Sequence, residues 1–173
     1  PRTAGYNSLD IGEMRVASWM VLIMLMFIGA SPSSTGGGVK TTTFGVLMAT
    51  VWATIKNKDE VEIFQRRLPK DLIYKALTIT MIALTWVSLV TMAMSLVEPF
   101  VFIRLLFEVV SAFGTVGLST GITPALTDLS KWLLSITMFM GRLGPLTVMV
   151  ALSQSKTSNQ ACAKCIEDRV VIG

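Results

Sequence analysis

Apolar residues in this chain come in long unbroken runs, not at the three- and four-residue intervals of a helix resting on a soluble core. Leu72 to Val97 is one such run, closed by Glu98-Pro99. It is long enough to cross a bilayer, which takes about 20 residues. Val16 to Ala30, Phe44 to Ile55 and Phe100 to Val110 are too short to span alone, and Ala125 to Gln154 is interrupted at Gly141-Arg142-Leu143-Gly144-Pro145. The pattern predicts helices throughout, some spanning and some half-length, separated by Gly-, Ser- and Thr-rich segments.

The half-length run ending near Val110 leads into Ser111-Ala112-Phe113-Gly114-Thr115-Val116-Gly117-Leu118-Ser119-Thr120-Gly121-Ile122-Thr123. A short apolar helix followed by an extended, Gly-punctuated polar segment is the pattern of a re-entrant pore loop. Irregular backbone survives at membrane depth only where it is buried in protein or lines a watery path. Carbonyls from such a segment can replace the hydration shell of potassium, and Gly117 permits the dihedrals that aim them inward. The chain opens on a second copy: Thr3-Ala4-Gly5-Tyr6-Asn7-Ser8 matches Thr115-Val116-Gly117-Leu118-Ser119-Thr120 as T-x-G-x-[NS]-[ST]. At Tyr6 only the carbonyl would face the ion, and Arg2 reads as a tether between filter and backbone.

Between Val16–Ala30 and Phe44–Ile55 lies Ser31 to Thr43, with Pro32 and three consecutive glycines, Gly36 to Gly38. Each glycine costs a helix roughly 1 kcal/mol relative to Ala, and Pro32 adds a break. The stretch is either an extramembrane turn or a mid-membrane loop within one broken span; neither flank spans alone, which favours the second. A phosphate-binding reading fails: Lys40-Thr41 would close a P-loop, but Ser34 and Val39 stand where its glycines belong. Arg142, near the middle of an apolar run, is a second candidate for function, since burying its charge costs at least about 2.5 kcal/mol.

Composition supports a membrane protein: 52% of residues are hydrophobic, 15% are charged, and the mean hydropathy is +0.64. The net charge of +4 does not argue for nucleic acid, because the basic residues cluster as topology demands. Lys56, Lys58, Arg66, Arg67, Lys70 and Lys75 crowd one connection, and Lys156, Lys164 and Arg169 lie in the tail. Both are expected to be cytoplasmic, two crossings apart. Docking of a cytoplasmic partner and plain solvation explain the first cluster equally. Cys162 and Cys165, with no histidine in the chain, fall short of a four-coordinate zinc site and read as reduced tail thiols.

The paired T-x-G segments, the run Gly29-Ala30-Ser31-Pro32-Ser33-Ser34-Thr35-Gly36-Gly37-Gly38-Val39-Lys40-Thr41-Thr42-Thr43, the break Gly141–Thr147 and the tail Glu167-Asp168-Arg169-Val170-Val171-Ile172-Gly173 together resemble the Trk/Ktr/HKT superfamily of potassium transporters, nearest the Ktr-type membrane subunit. The resemblance implies an all-α integral membrane protein of helix–pore loop–helix repeats with re-entrant filter loops and broken inner helices around a pseudo-fourfold pore. On that scheme 1–13 is the filter and exit of the third repeat, 14–56 its broken inner helix with an intramembrane loop at 31–43, and 57–71 a cytoplasmic connection. Residues 72–154 are then the fourth repeat, with outer helix 72–97, pore helix and filter 99–123 and broken inner helix 125–154, and 155–173 is a cytoplasmic tail. The chain reads as cut from a longer protein, with the remaining pore repeats upstream of Pro1.

The implied function is potassium uptake across the plasma membrane by a multi-pass subunit. Thr3, Ala4, Gly5, Tyr6, Thr115, Val116, Gly117 and Leu118 would form the ion-binding filter, with potassium held by backbone carbonyls of Thr3, Gly5, Thr115 and Gly117. Gly36, Gly37, Gly38, Lys40 and Arg142 would form the gate. Implied partners are membrane lipid, a second copy of the subunit and a cytoplasmic nucleotide-binding ring that alone carries nucleotide; sodium is implied as a possible coupling ion. Glu108 is expected to bond the filter backbone, and an ion pair with Arg104 one turn away is a further expectation. Rival readings are a sodium-selective or sodium/potassium transporter of the same fold, a membrane enzyme using the Ser/Thr/Gly loop, and a non-conducting anchor. With no histidine and no G-x-S-x-G elbow, no catalytic residue is expected.

Overall fold

The computed structural model describes residue 5 and residues 11–31, 36–56, 62–63 and 66–144, with backbone alone at 62–63 and 66–67. Thr3, Ala4, Tyr6, residues 32–35 of the loop, Pro145, and the tail with Cys162 and Cys165 lie outside the described residues. Five helices carry the fold: α1 (Val16–Phe27), α2 (Thr41–Ile55), α3 (Lys70–Val97), α4 (Phe102–Gly114) and α5 (Asp128–Leu143). The connection read as merely polar holds a two-residue antiparallel hairpin, β1 (Glu62–Ile63) and β2 (Arg66–Arg67), so the chain is mostly rather than wholly helical.

Local chemistry sets the ends. Pro69 stands at the start of α3 with φ −64°, where its missing N–H forfeits no helical bond, and Asp71 in the first turn faces the positive helix end. Glu98 precedes Pro99 and is extended, φ −104° and ψ 136°, because the proline ring disfavours the helical conformation before it. Threonine hydroxyls along the apolar helices bond the carbonyl four residues back: Thr50 to Val46, Thr80 to Ala76, Thr91 to Val87 and Thr137 to Leu133.

The core is the short helix α4. Leu105 and every residue from Phe107 to Gly114 are buried, and α1, α3 and α5 pack around it. The other helices are apolar on the outside. α5 buries Ser130, Leu134, Thr137 and Gly141 while exposing Leu129, Trp132, Ile136, Phe139 and Leu143; in α3, Leu96 is 83% exposed. Apolar surface outside and hydroxyls inside suit a hydrocarbon solvent. Among the described residues α3, at 28 residues, is the one helix long and apolar enough to cross a membrane, and α1 and α2 are shorter apolar helices.

The loop between α1 and α2 is pinned at its ends. Ile28 and Val39 form a parallel bridge, in which the Gly29 amide donates to the Val39 carbonyl at 2.7 Å and the Val39 amide to the Phe27 carbonyl at 3.2 Å.

Candidate functional site

The site begins where α4 ends. The Thr115 amide donates to the Ala112 carbonyl at 3.1 Å and the Val116 amide to the Ser111 carbonyl at 3.0 Å, the crossed pair of a Schellman cap. Glycine normally takes the left-handed position of such a cap, yet here Thr115 does, with φ 52° and ψ 41°. For a residue with a β-carbon this costs roughly 1–2 kcal/mol, and surrounding bonds must hold it. Gly117 is also left-handed at φ 85°. Side chains then alternate: Val116, Leu118 and Thr120 are buried, while Gly117 is open and Thr115 and Ser119 are half-buried. The negative end of the α4 macrodipole lies at this point, favouring a cation.

The first T-x-G segment is represented by Gly5, which lies against the second. Its φ is 68°. A β-carbon on Gly5 would stand 3.0 Å from the Val116 carbonyl oxygen, and one on Gly117 would stand 3.7 Å from the Gly5 Cα. Two glycines with left-handed backbones, distant in sequence, therefore face each other.

The far wall is a hydrogen-bond network on Glu108, which is buried. Its Oε1 accepts from the Thr120 amide at 2.8 Å, the Ser119 hydroxyl at 2.7 Å and the Thr120 hydroxyl at 3.0 Å, and its Oε2 accepts from the Thr123 hydroxyl at 2.9 Å. The Ser111 hydroxyl donates to the Leu118 carbonyl at 2.6 Å, so Leu118, expected in the ion-binding filter, has its carbonyl taken by a donor of α4. A cavity of about 350 Å³ opens here, lined by Glu108, Ser111, Thr115, Gly117 and Ser119 with Leu134 and Met138 of α5. Arg104 does not pair with Glu108. Its guanidinium lies over the Trp19 ring at 5.3 Å, because the carboxylate is already filled by donors of the exit strand. Trp19 in turn donates its indole N–H to the Ile11 carbonyl at 2.7 Å, tying the exit of the first segment to α1.

Beside Thr115 the end of α4, the Gly36–Lys40 segment and Gly141 of α5 converge. The Gly37 amide donates to Thr115 Oγ1 at 2.9 Å, and a β-carbon at Gly37 would sit 2.9 Å from the Phe113 carbonyl oxygen and 3.0 Å from that of Gly141. At Gly141 a β-carbon would overlap the Phe113 carbonyl. Lys40 Nζ donates to the Gly36 carbonyl at 3.0 Å, closing the loop on itself. Of the gate candidates, Gly36, Gly37, Gly38 and Lys40 thus lie in one short segment under α4. Arg142 follows Gly141 but is exposed, as the turn of about 100° per helical residue requires when Gly141 faces inward. The crossed cap on Thr115, the Ser111–Leu118 bond and the Arg104–Trp19 stacking carried no sequence signal, since each joins residues of ordinary type. A cluster of three or more metal-ligating residues is absent among the described residues.

A buried half-length helix thus ends in a left-handed segment, set against a second left-handed glycine inside an outwardly apolar helical shell. The chain matches the TrkH family, described as cation transport protein, over residues 1–161; it belongs to that family. It is 43% identical over 159 residues to Ktr system potassium uptake protein B of Bacillus subtilis, covering 92% of this chain and 36% of that protein. It is 39% identical over 173 residues to Ktr system potassium uptake protein D of the same organism, covering 99% and 38%. It is 37% identical over 177 residues to the potassium/sodium uptake protein NtpJ of Enterococcus hirae, covering 100% and 39%. The chain spans little more than a third of the length of these relatives. Its resemblance to the Ktr-type membrane subunit stands, and the enzyme reading falls, since the family is one of cation transporters.

Proposed function

We propose that this chain supplies two of the four filter segments of a potassium-uptake pore in the plasma membrane. The observation that carries this reading is the opposed, left-handed pair Gly5 and Gly117 at the C-terminal end of a buried short helix. Dehydrated potassium would be held by carbonyls of Thr3, Gly5, Thr115 and Gly117, with Ala4, Tyr6 and Val116 completing the two strands. Leu118 would serve by being pinned to Ser111. The loop carrying Gly36 to Gly38 and Lys40 would obstruct the path below, and Arg142 would add a positive barrier near it.

The names of the Ktr relatives support a subunit that works within a larger system. We assign to that system a second copy of the subunit, upstream repeats completing the ring, and a cytoplasmic nucleotide-binding ring as regulator. The likeness to a potassium/sodium uptake protein favours one further reading, passage or coupling of sodium.

The test is potassium uptake by the full-length protein in cells lacking other potassium transporters. Gly117→Val adds a β-branched side chain at φ 85° and should lower both uptake and preference for potassium over sodium, with Gly5→Val acting alike. Normal uptake and preference in both variants, properly inserted, would remove these segments from the pore.

A further inference from the structure

We propose that the Thr115 hydroxyl is the positioning group that links the intramembrane loop to the filter, so that loop position and ion occupancy bias each other. The inference rests on the pore reading above and goes beyond a loop that merely obstructs. Four observations carry it. Gly37 N–H donates to Thr115 Oγ1 at 2.9 Å, between residues far apart in sequence. Thr115 is the one non-glycine residue with positive φ among the described residues, so its backbone needs outside support. Gly37 has no spare room: a β-carbon there would lie 2.9 Å from Thr115 Cγ2 as well as 2.9 Å from the Phe113 carbonyl oxygen. Finally, Thr115 lines the same cavity as Gly117, so a change in its conformation is transmitted to the carbonyls on either side of Val116.

Withdrawal of the loop must therefore break the Gly37–Thr115 bond. That frees Oγ1 to turn and relieves the restraint on a strained residue at the inner end of the filter. By linkage the coupling is reciprocal: whatever ion occupancy does to Thr115 alters how tightly Gly37 is held. The hydroxyl oxygen is the shared element, because it accepts from the loop while belonging to the filter strand.

The test reads the loop and not transport. In full-length protein with every native cysteine replaced, a cysteine at Val39, which is buried beside Gly38, is modified by a water-soluble thiol reagent in potassium and in choline. The wild-type background should show an ion-dependent rate. Thr115→Val keeps the β-branched shape but lacks the acceptor; it should raise the rate about threefold to tenfold, as loss of one neutral hydrogen bond predicts, and abolish the ion dependence. Thr115→Ser keeps the acceptor and should behave as wild type. Thr115→Ala is the second acceptor-free variant should valine fail to assemble. Equal rates in Val, Ala and wild type, a serine variant as altered as valine, or a wild-type rate indifferent to potassium would each overturn the link. Failure of the pore reading shows separately, as absence of potassium uptake by the wild-type protein.

Discussion

Replacing Glu108 separates two roles that a buried carboxylate beside a filter can play. In Glu108→Ala four donors lose their acceptor: the Thr120 amide and the hydroxyls of Ser119, Thr120 and Thr123. The Ser119 and Thr123 hydroxyls can re-pair, since they already lie 2.8 Å apart. The Thr120 amide belongs to a residue only 5% exposed and has no such recourse, so its desolvation sets the scale at about 1–3 kcal/mol. If that energy appears in the ion-bound geometry, apparent potassium affinity falls roughly 5- to 150-fold. The inner half of the segment keeps its Ser111–Leu118 and Val116–Ser111 bonds, so assembly should survive. Glu108→Gln retains an acceptor for the Thr120 amide, and its NH₂ can donate to the Thr123 oxygen, so it should keep most of the affinity. The assay is the concentration dependence of potassium uptake with sodium as competitor, alongside detergent-solubilised thermal stability. A direct ion-binding role predicts the opposite ranking, with glutamine as damaging as alanine because the charge is gone in both. An alanine variant with unchanged affinity and selectivity would refute the scaffold argument outright.

Three further outcomes are expected. Gly141→Ala places a β-carbon on the Phe113 carbonyl, backbone against backbone, and should lower thermal stability or block assembly; normal stability would show that α5 does not approach α4 this closely. Removing Gly36 to Gly38 shortens the obstruction and should raise flux while weakening its dependence on the cytoplasmic ring; uptake that stays low and fully partner-dependent in an assembled protein would end the gate assignment. The Glu98 carboxyl is held below its ordinary value of 4.5 by the hydroxyl of Ser130 first, then by the hydroxyl and amide of Thr127. A depressed carboxylate contributes stability above its unfolded value and loses it as pH falls through the folded one, so thermal stability should decline below about pH 4.5, and Glu98→Gln should flatten that part of the profile.

Much of the fold was legible because a bilayer imposes length. Leu72–Val97 could be read to within two residues of α3, since a span must be long and Pro69 and Pro99 bracket it. An interruption between α1 and α2 was legible because clustered glycines do not continue a helix. The bounds of the breaks were not: α2 already begins at Thr41, and α5 runs through Gly141 and Arg142 to Leu143 before Gly144 turns left-handed at φ 81°. Which faces meet was not legible. α5 is apolar on its outward side and carries Ser130, Thr137 and Gly141 inward, so the usual apolar stripe points the wrong way. The Arg104–Glu108 pair failed for a related reason: spacing puts the two within reach, but it says nothing of four stronger claims on the same carboxylate. Thr115 in a left-handed cap was beyond inference, because its residue type argues against that conformation.

The bonds are unevenly distributed along the proposed path. Glu108 fastens the outer half of the second segment through four hydrogen bonds, one of them to a buried backbone amide. The Gly36–Gly38 segment meets the inner half through the Gly37–Thr115 bond, and its glycines bring no side chains to pack. Gly37 and Gly38 are buried without side chains, so on the proposed gating movement this segment would give up the Gly37–Thr115 bond while the Glu108 bonds stay intact. That division suits the proposed gate beside a filter. On that reading the obstruction would move at the cost of few hydrogen bonds, Thr115 would respond at the inner end, and the outer strand from Ser119 to Thr123 would stay fixed by a carboxylate that the movement never touches.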